Sequence, residues 1–313
     1  MTTASPASAQ LAHLELELSA RSCPICASTL ADEFAPANVA LDRLDGFAFA
    51  SRKLPEYMHF RLVVCRVCDV LYASPAPNGQ TLDRAYKEAA FDAAVESRYA
   101  ALTYAAFLPK IVGQLRDLDG ALDIGTGDGA FLEQLLRQGF TNVVGVEPSA
   151  APIAAAKPEI RPLIRQSPFR SADFESERLR LVTCFQTLEH VSDPLELCAD
   201  AGQLLKPGGA LFVVCHDRRA LLARLMGQRS PIFDIEHLQL FCSRSIQTLL
   251  KRAGFRSVEV HRVVNRYPLS YWIRLLPAPA GLKSAVLNRL ETTGLGKVSI
   301  AAPVGNLAAI AYK

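Results

Sequence analysis

The sequence lacks any apolar run approaching the ~18 residues that cross a bilayer, so no membrane-spanning helix is expected. It also lacks a basic stretch followed by an apolar core near its start, so export is not expected and the cytoplasm is the default location. A dominant sign of charge is missing too: 34 Lys and Arg against 31 Asp and Glu leave +3 over 313 residues. With no long basic run, the balance weighs against a nucleic-acid partner. The densest arginine cluster, Arg161, Arg165, Arg170, Arg178 and Arg180, reads as a solvated face. No internal repeat or extended low-complexity segment occurs. Half of the residues are apolar, enough to bury a full α/β core plus an accessory module. Residues 1–20 begin small and polar, and a disordered or extended tail is expected there.

What is present centres on Ala121-Leu122-Asp123-Ile124-Gly125-Thr126-Gly127-Asp128-Gly129-Ala130-Phe131. Small apolar residues end in an acid, glycines follow at alternate positions, and a helical pattern starts at Phe131-Leu132 and continues at Leu135-Leu136. This reads as strand, tight loop, helix. The glycines let backbone approach a ligand, and the helix adds N–H groups and the positive end of its dipole. About twenty residues on, Val143-Val144-Gly145-Val146 reads as a second buried strand ending in Glu147, placed to take both hydroxyls of a ribose. A nucleoside-bearing cofactor is therefore expected. Gly125-x-Gly127-x-x-Ala130 also satisfies the relaxed dinucleotide fingerprint, which keeps NAD open. Against NAD, Asp123 flanks the loop where a pyrophosphate would be repelled; an acid there suits an ammonium or a sulfonium.

Two later landmarks complete the pattern. Leu181 to Val191 ends a strand in Glu189-His190, and Leu204-Leu205-Lys206-Pro207-Gly208-Gly209 precedes another strand. Over roughly residues 80–313 the ordered set resembles the class I S-adenosylmethionine (SAM)-dependent methyltransferases. That resemblance implies an α/β fold: a Rossmann-like seven-stranded sheet with an antiparallel last strand at its edge. Strands are expected near 120–124, 142–147, 161–165, 180–186, 209–216, 257–264 and 306–312. It also implies SAM as cofactor, held by Asp123, Gly125, Thr126, Gly127, Gly129, Glu147 and Pro148. Ser167 and Phe169 would frame the adenine, and Gln186 would face the methionine end.

Cys23-Pro24-Ile25-Cys26 and Cys65-Arg66-Val67-Cys68 form two Cys-x-x-Cys knuckles. Four thiolates so paired suit one structural zinc ion, with no open coordination position. The knuckles are further apart than the ~15–20 residues of a zinc ribbon, so an insertion must lie between them. Four unconnected buried cysteines or a redox pair is the alternative. Cys184, Cys198, Cys215 and Cys242 stand alone in apolar contexts and read as core. Val70 to Pro77 followed by Asp83-x-x-Tyr86 resembles the knuckle-to-helix junction of small-molecule and sugar methyltransferases that carry an N-terminal zinc ribbon. The expected organisation is a zinc module at 21–77, a helical cap at 78–118 and the SAM-binding domain at 119–313. Tyr86, Phe91, Tyr99 and Tyr104 lie along the cap; Tyr86 is a cofactor-pocket candidate, and the others read more readily as core.

Three residues are catalytic candidates. His190 can act as general base, since its ordinary pKa lies near working pH. Glu189 and His190 with His216 or His237 could instead hold a divalent ion, although Gln186 stands where some O-methyltransferases of this type have the first acid. His190 could also simply cap the fourth strand. His237 belongs to His237-Leu238-x-x-Phe241, a turn expected near the pocket mouth. An insertion at 265–303 with Tyr267, Tyr271 and the single Trp272 is read either as an acceptor lid or as an apolar dimer surface. The expected activity is methyl transfer from SAM to an O or C atom of a small molecule: a sugar, lipid precursor or secondary metabolite. The alternatives are an RNA methyltransferase gripping RNA with its zinc module, and a non-catalytic nucleotide-cofactor-binding scaffold.

Overall fold

The computed structural model describes residues 18–40, 57–87, 94–275 and 278–313. Residues 1–17 and Phe91, on which expectations fell, lie outside that set. A seven-stranded sheet forms the body, built from β6 (Asp119–Ile124), β7 (Thr141–Glu147), β8 (Ile164–Gln166), β9 (Leu179–Phe185), β10 (Leu205–His216), β12 (Ser257–Pro268) and β13 (Ser299–Tyr312). Its order is β12-β13-β10-β9-β6-β7-β8. The first five in sequence run parallel, whereas β13 is antiparallel to both β10 and β12. The last strand is thus antiparallel as expected, and it is slotted one place in from the edge, with β12 outside it.

Strand alternation divides the core into two layers. Leu122, Val182, Leu211 and Val213 face a layer with Cys198, Ala201, Leu249 and Leu250, contributed by α6 (Pro194–Leu204) and α8 (Ser243–Arg252). Ala121, Leu181, Phe212 and Val214 face the other, with residues of α2 (Ala94–Ala105), α3 (Leu108–Val112) and α4 (Ala130–Arg137). In α4, Phe131, Leu132 and Leu135 recur at helical spacing and are buried. In α6, Pro194 occupies the first turn, and the Asp193 side chain accepts the Glu196 N–H at 2.9 Å.

Two strands are displaced from expectation for physical reasons. Pro162 lacks an N–H for the ladder, so Arg161–Leu163 forms a 3-10 turn and β8 starts only at Ile164. The 265–303 insertion is partly sheet, since the β12–β13 hairpin stays paired as far as Pro268 and Ser299. Beyond that pair lie α9 (Leu269–Leu275) and α10 (Ala280–Thr293).

The N-terminal segment is joined to the body by hydrogen bonds. β1 (Leu18–Ser19) pairs with β5 (Ala76–Pro77), after which α1 (Gly79–Lys87) begins. β2 (Ala31–Ala35), β3 (Leu62–Cys65) and β4 (Leu71–Ala73) form a sheet whose fourth strand, β11 (Gln239–Leu240), comes from the body.

Candidate functional site

The carboxyl ends of the parallel strands open onto one cavity of about 810 Å3. β6 is flanked by β7 on one side and β9 on the other, so its end is where the strand order reverses, the usual crevice for ligands in open α/β sheets. Asp123, Gly125, Thr126, Gly127, Glu147 and Pro148 all line it, so both acids flanking the loop serve one site. Phe169 and Gln186 line it as well. Gly129 sits behind the loop as the residue before α4, with φ 72°.

Two glycines explain the loop. Gly125 has φ 72°, and a Cβ there would lie 2.4 Å from Thr187 Oγ1. Gly127 has φ 58°, and a Cβ there would meet nothing within 4 Å. The first glycine is required by protein packing. The second holds backbone against empty cavity, as close approach of a ligand requires.

The acids divide their work in a way the sequence did not disclose. Asp123 is buried; Thr126 Oγ1 donates to it at 2.7 Å and Thr183 Oγ1 at 2.6 Å. Burial pushes its carboxyl up to about 6, against the effect of those two hydroxyls. Its hydrogen bonds go to the protein, so it braces the loop first and faces ligand second. Glu147 accepts the Gly127 N–H at 3.0 Å and the Ser149 N–H at 2.9 Å, one on each oxygen. Each carboxylate oxygen has two lone pairs, which leaves capacity for two hydroxyls. Burial raises this carboxyl too, opposed by the two N–H groups.

Gln186 supplies the sharpest test of which group fits the cavity. Its backbone is held at φ 50°, and both polar atoms of its side chain are buried with no partner among the described residues. Such an amide is costly unless something in the cavity pairs with it. A zwitterionic amino-acid end, bearing both donors and acceptors, would satisfy it, so these residues fit SAM.

Three histidines form the opposite wall. The rings of His190 and His237 lie 4.9 Å apart, and those of His216 and His237 5.1 Å apart. His237 Nδ1 is 2.9 Å from the Ile232 carbonyl and His190 Nδ1 is 3.1 Å from the Glu236 carbonyl. A carbonyl can only accept, so in each of these two hydrogen bonds Nδ1 is the donor, while His237 Nε2 lies 3.7 Å from Glu236 Oε1. Tyr86 Oη is 3.0 Å from His190 Nδ1 and donates to the Glu236 carbonyl at 3.2 Å. Tyr86, the cofactor-pocket candidate, lines the cavity and makes these contacts at its histidine wall. His216 Nδ1 lies 3.0 Å from Asn306 Oδ1, and burial lowers its pKa to about 4.

Two site residues read from the sequence fall elsewhere. Ser167 does not line the cavity; its neighbours Pro168 and Phe169 do, because β8 runs to Gln166, one residue past the expected end at 165. Glu189 does not line it either. It is fully buried, accepts the His216 N–H at 2.7 Å, and its other oxygen has no hydrogen-bond partner among the described residues. Burial pushes its carboxyl up to about 7. Glu189 is thus a structural carboxyl behind the wall, and the divalent-ion arrangement through Glu189 loses its acid. Among the described residues, the one group of three or more His, Cys, Asp or Glu that converges as metal ligands is Cys23, Cys26, Cys65 and Cys68.

Those four sulfurs lie within 4.8 Å of one another, with Cys23–Cys68 at 3.4 Å and Cys26–Cys65 at 3.5 Å. Tetrahedral Zn–S bonds of ~2.3 Å put sulfurs ~3.8 Å apart, so the quartet fits zinc. The two knuckles turn alike: Ala27 and Asp69, each just after the second cysteine of its pair, have φ 60° and 67°.

Other cavity residues were missed. Ser97 Oγ donates to Asp128 at 2.7 Å, tying α2 to the glycine loop. Asn265 and Asn306 face the cavity from β12 and β13, and Asn306 Nδ2 donates to Asn265 Oδ1 at 3.3 Å. The asparagine inside the mostly apolar β13 was the available signal. Tyr104, read as core, lines the cavity, as do Tyr267, Tyr271 and Trp272 from the insertion.

The family described as a methyltransferase domain matches residues 95–260, more than half of the chain. Over 167 residues the chain is 33% identical to the ubiquinone biosynthesis O-methyltransferase of Coxiella burnetii (strain RSA 493 / Nine Mile phase I), covering 48% of this chain and 70% of that one. The protein of the same name from Cronobacter sakazakii (strain ATCC BAA-894) is 34% identical over 106 residues, which span 32% of this chain and 43% of the relative. A SAM-dependent methyltransferase structure from Archaeoglobus fulgidus aligns with 68% of this chain and 94% of its own, at 17% identity and a TM-score of 0.46. With the family match resting on the segment that carries the glycine loop, Glu147 and the histidine wall, the chain belongs to the methyltransferase-domain family and is a class I SAM-dependent methyltransferase.

Proposed function

We propose that the chain methylates an oxygen of a small hydroxylated acceptor bound against His190 and His237. The observation that carries this reading is the single cavity with a nucleoside cradle at one end and two imidazoles hydrogen-bonded to backbone carbonyls at the other. The relatives' names motivate the choice of oxygen over carbon. SAM supplies an already activated methyl group, so the protein's task is mainly positioning, which is worth roughly 7–11 kcal/mol. Glu147 takes the ribose hydroxyls, the Gly127 backbone admits the nucleoside, and Gln186 pairs with the amino-acid end. His190 Nε2 accepts the acceptor's hydroxyl proton, while the Glu236 carbonyl holds the imidazole in the required tautomer. Tyr267, Tyr271 and Trp272 bound the acceptor and exclude water.

We assign 21–77 as a structural zinc module, 78–118 as the cap and 119–313 as the catalytic domain. Free thiolates for zinc suit the reducing cytoplasm. The arginines near the knuckles are engaged internally, Arg66 with Asp32 and Arg244 with the Val67 carbonyl at 2.8 Å. That favours a small acceptor over RNA.

Calorimetry with S-adenosylhomocysteine and Glu147→Ala tests the cradle. Labelled SAM with a panel of hydroxylated aromatics, read by product mass, tests the atom methylated. His190→Ala is expected to retain nucleoside affinity and to slow turnover by ~10²–10⁴-fold. Full activity of that variant, or a product methylated on carbon, would overturn the corresponding half of the reading.

A further inference from the structure

We infer that Asp69, the residue closing the second cysteine knuckle, is a positioning residue for the histidine wall, so that the metal module sets the acceptor end of the site and leaves the nucleoside end alone. The inference rests on the proposed placement of the acceptor against that wall.

Asp69 follows Cys68 directly, and its N–H donates to the Cys65 carbonyl at 3.0 Å within the knuckle turn. Its side chain is 11% exposed and points out of the module into the body. There it pairs with the Arg218 guanidinium, whose Nε also donates to the Asp69 carbonyl at 3.0 Å. Arg219 completes the pairing at 2.7 Å, and Cys242 Sγ lies 3.2 Å from the carboxylate. Arg218 is held two residues after His216. Its own N–H donates to the Phe241 carbonyl at 2.8 Å, which ties the segment after His216 to the segment after His237. β4, which begins two residues after Asp69, pairs with β11, which begins two residues after His237. The Ala73 N–H also donates to the Leu238 carbonyl at 2.8 Å. Glu189 joins the same frame: its carboxylate takes the His216 N–H at 2.7 Å and its carbonyl the Leu238 N–H at 2.8 Å. The knuckle is therefore anchored to both segments that carry the far histidines.

The nucleoside end draws its bonds from other elements. Asp123 and Glu147 are held by Thr126, Thr183, Gly127 and Ser149, on β6, β7, β9 and the turns that follow β6 and β7. Removing the Asp69 carboxylate strands the Arg218 guanidinium, whose side chain is only 10% exposed, and frees the 216–219 segment to move. Asparagine at the same place keeps an acceptor oxygen for that guanidinium.

The test uses the full, zinc-loaded chain with Asp69→Ala, Asp69→Asn and Arg219→Gln. Zinc content, S-adenosylhomocysteine affinity, the imidazole 1H–15N resonances and hydrogen exchange over 214–219 and 232–241 are measured for each. Asp69→Ala is expected to keep one zinc per chain and to change nucleoside affinity less than about fivefold, the low end of site-to-site coupling. It is expected to shift the His216 and His237 resonances and to speed exchange in both segments by ~10-fold or more. Asp69→Asn should restore both signatures towards wild type. Arg219→Gln removes a partner that is 61% exposed and should be silent. Unmoved histidine resonances in Asp69→Ala would overturn the inference, as would a loss of nucleoside affinity in step with them or an equal disturbance by Arg219→Gln. Failure of the wild type to bind S-adenosylhomocysteine would instead overturn the proposed function.

Discussion

At the scale of single residues, the two loop glycines separate folding from binding. Alanine at Gly125 must adopt a left-handed backbone and also push against Thr187 Oγ1, 2.4 Å from its Cβ. The expected loss of stability is roughly 2–4 kcal/mol, combining left-handed strain with overpacking. Alanine at Gly127 meets no protein atom within 4 Å and should lose only the backbone part, about 1 kcal/mol. Its methyl group instead projects where the nucleoside must approach. Urea unfolding and calorimetry with S-adenosylhomocysteine should therefore rank the variants oppositely. The buried acids give a second residue-scale prediction. Glu189 rises from its ordinary 4.5 to about 7 because burial disfavours the ion. A carboxyl whose folded pKa is raised holds its proton longer when folded, so it penalises folding progressively as pH climbs from about 4.5 to 7. Asp123 acts in the same direction between 3.8 and about 6, whereas His216, lowered from 6.5 to about 4, acts oppositely between those values. Glu189→Gln removes one falling contribution. Relative to wild type it should gain stability between pH 4.5 and 7.5, by up to about 3 kcal/mol, as read from urea midpoints at the two ends.

At the scale of elements, the insertion and the hairpin that carries it form a wall that can be addressed separately. Tyr267 and Tyr271 stack at 4.4 Å, Trp272 packs edge-on against Tyr267 at 5.5 Å, and all three line the cavity. Trp272 is the chain's single tryptophan, and its Nε1 donates to the Ile300 carbonyl at 3.1 Å. Its emission should therefore respond to ligands entering the acceptor end, and respond less to S-adenosylhomocysteine alone. Replacing 269–298 by Asn-Gly across the Pro268–Ser299 pair should preserve nucleoside affinity and abolish acceptor discrimination. Unchanged product selectivity after that replacement would show that the aromatic wall does not choose the acceptor. The elements that were legible in the sequence are those whose pattern is local: the short apolar runs of β6, β7 and β9, the glycine turn, and the helical spacing of α4. Pro162 also carried a local signal, and it moved the start of β8. The reach of β12 and β13 into the insertion was not legible, because Asn265, Arg266 and Tyr267 earn their strand geometry from partners at 300–302, more than thirty residues away.

At the scale of the whole molecule, the cysteine module and the catalytic body share their interior. Leu71, Ala73, Ala76 and Leu82 pack in one cluster with Phe233, Ile235, Leu238 and Leu240, and Ile25, Val70 and Tyr72 join the main core beside Leu188 and Phe241. None of this was visible in the sequence: a pair such as Arg218 and Asp69, 149 residues apart, leaves no periodic trace, whereas each Cys-x-x-Cys knuckle announces itself within four residues. The boundary near residue 77 divides the chain without dividing the core. A chain truncated to 78–313 would expose Phe233, Ile235, Leu238 and Leu240, all at most 3% exposed in the intact protein. At about 1.5–3 kcal/mol for each buried side chain, roughly 6–12 kcal/mol of burial would be lost, comparable with the ~5–15 kcal/mol total stability of an ordinary domain. The lost partner of β11 would leave its backbone N–H and carbonyl groups unpaired as well. The truncated chain is therefore expected to unfold or aggregate at room temperature rather than to act as a free-standing catalytic domain. Cooperative thermal unfolding of 78–313 within a few degrees of the full chain would show instead that the shared core contributes little, and that the module is an appendage.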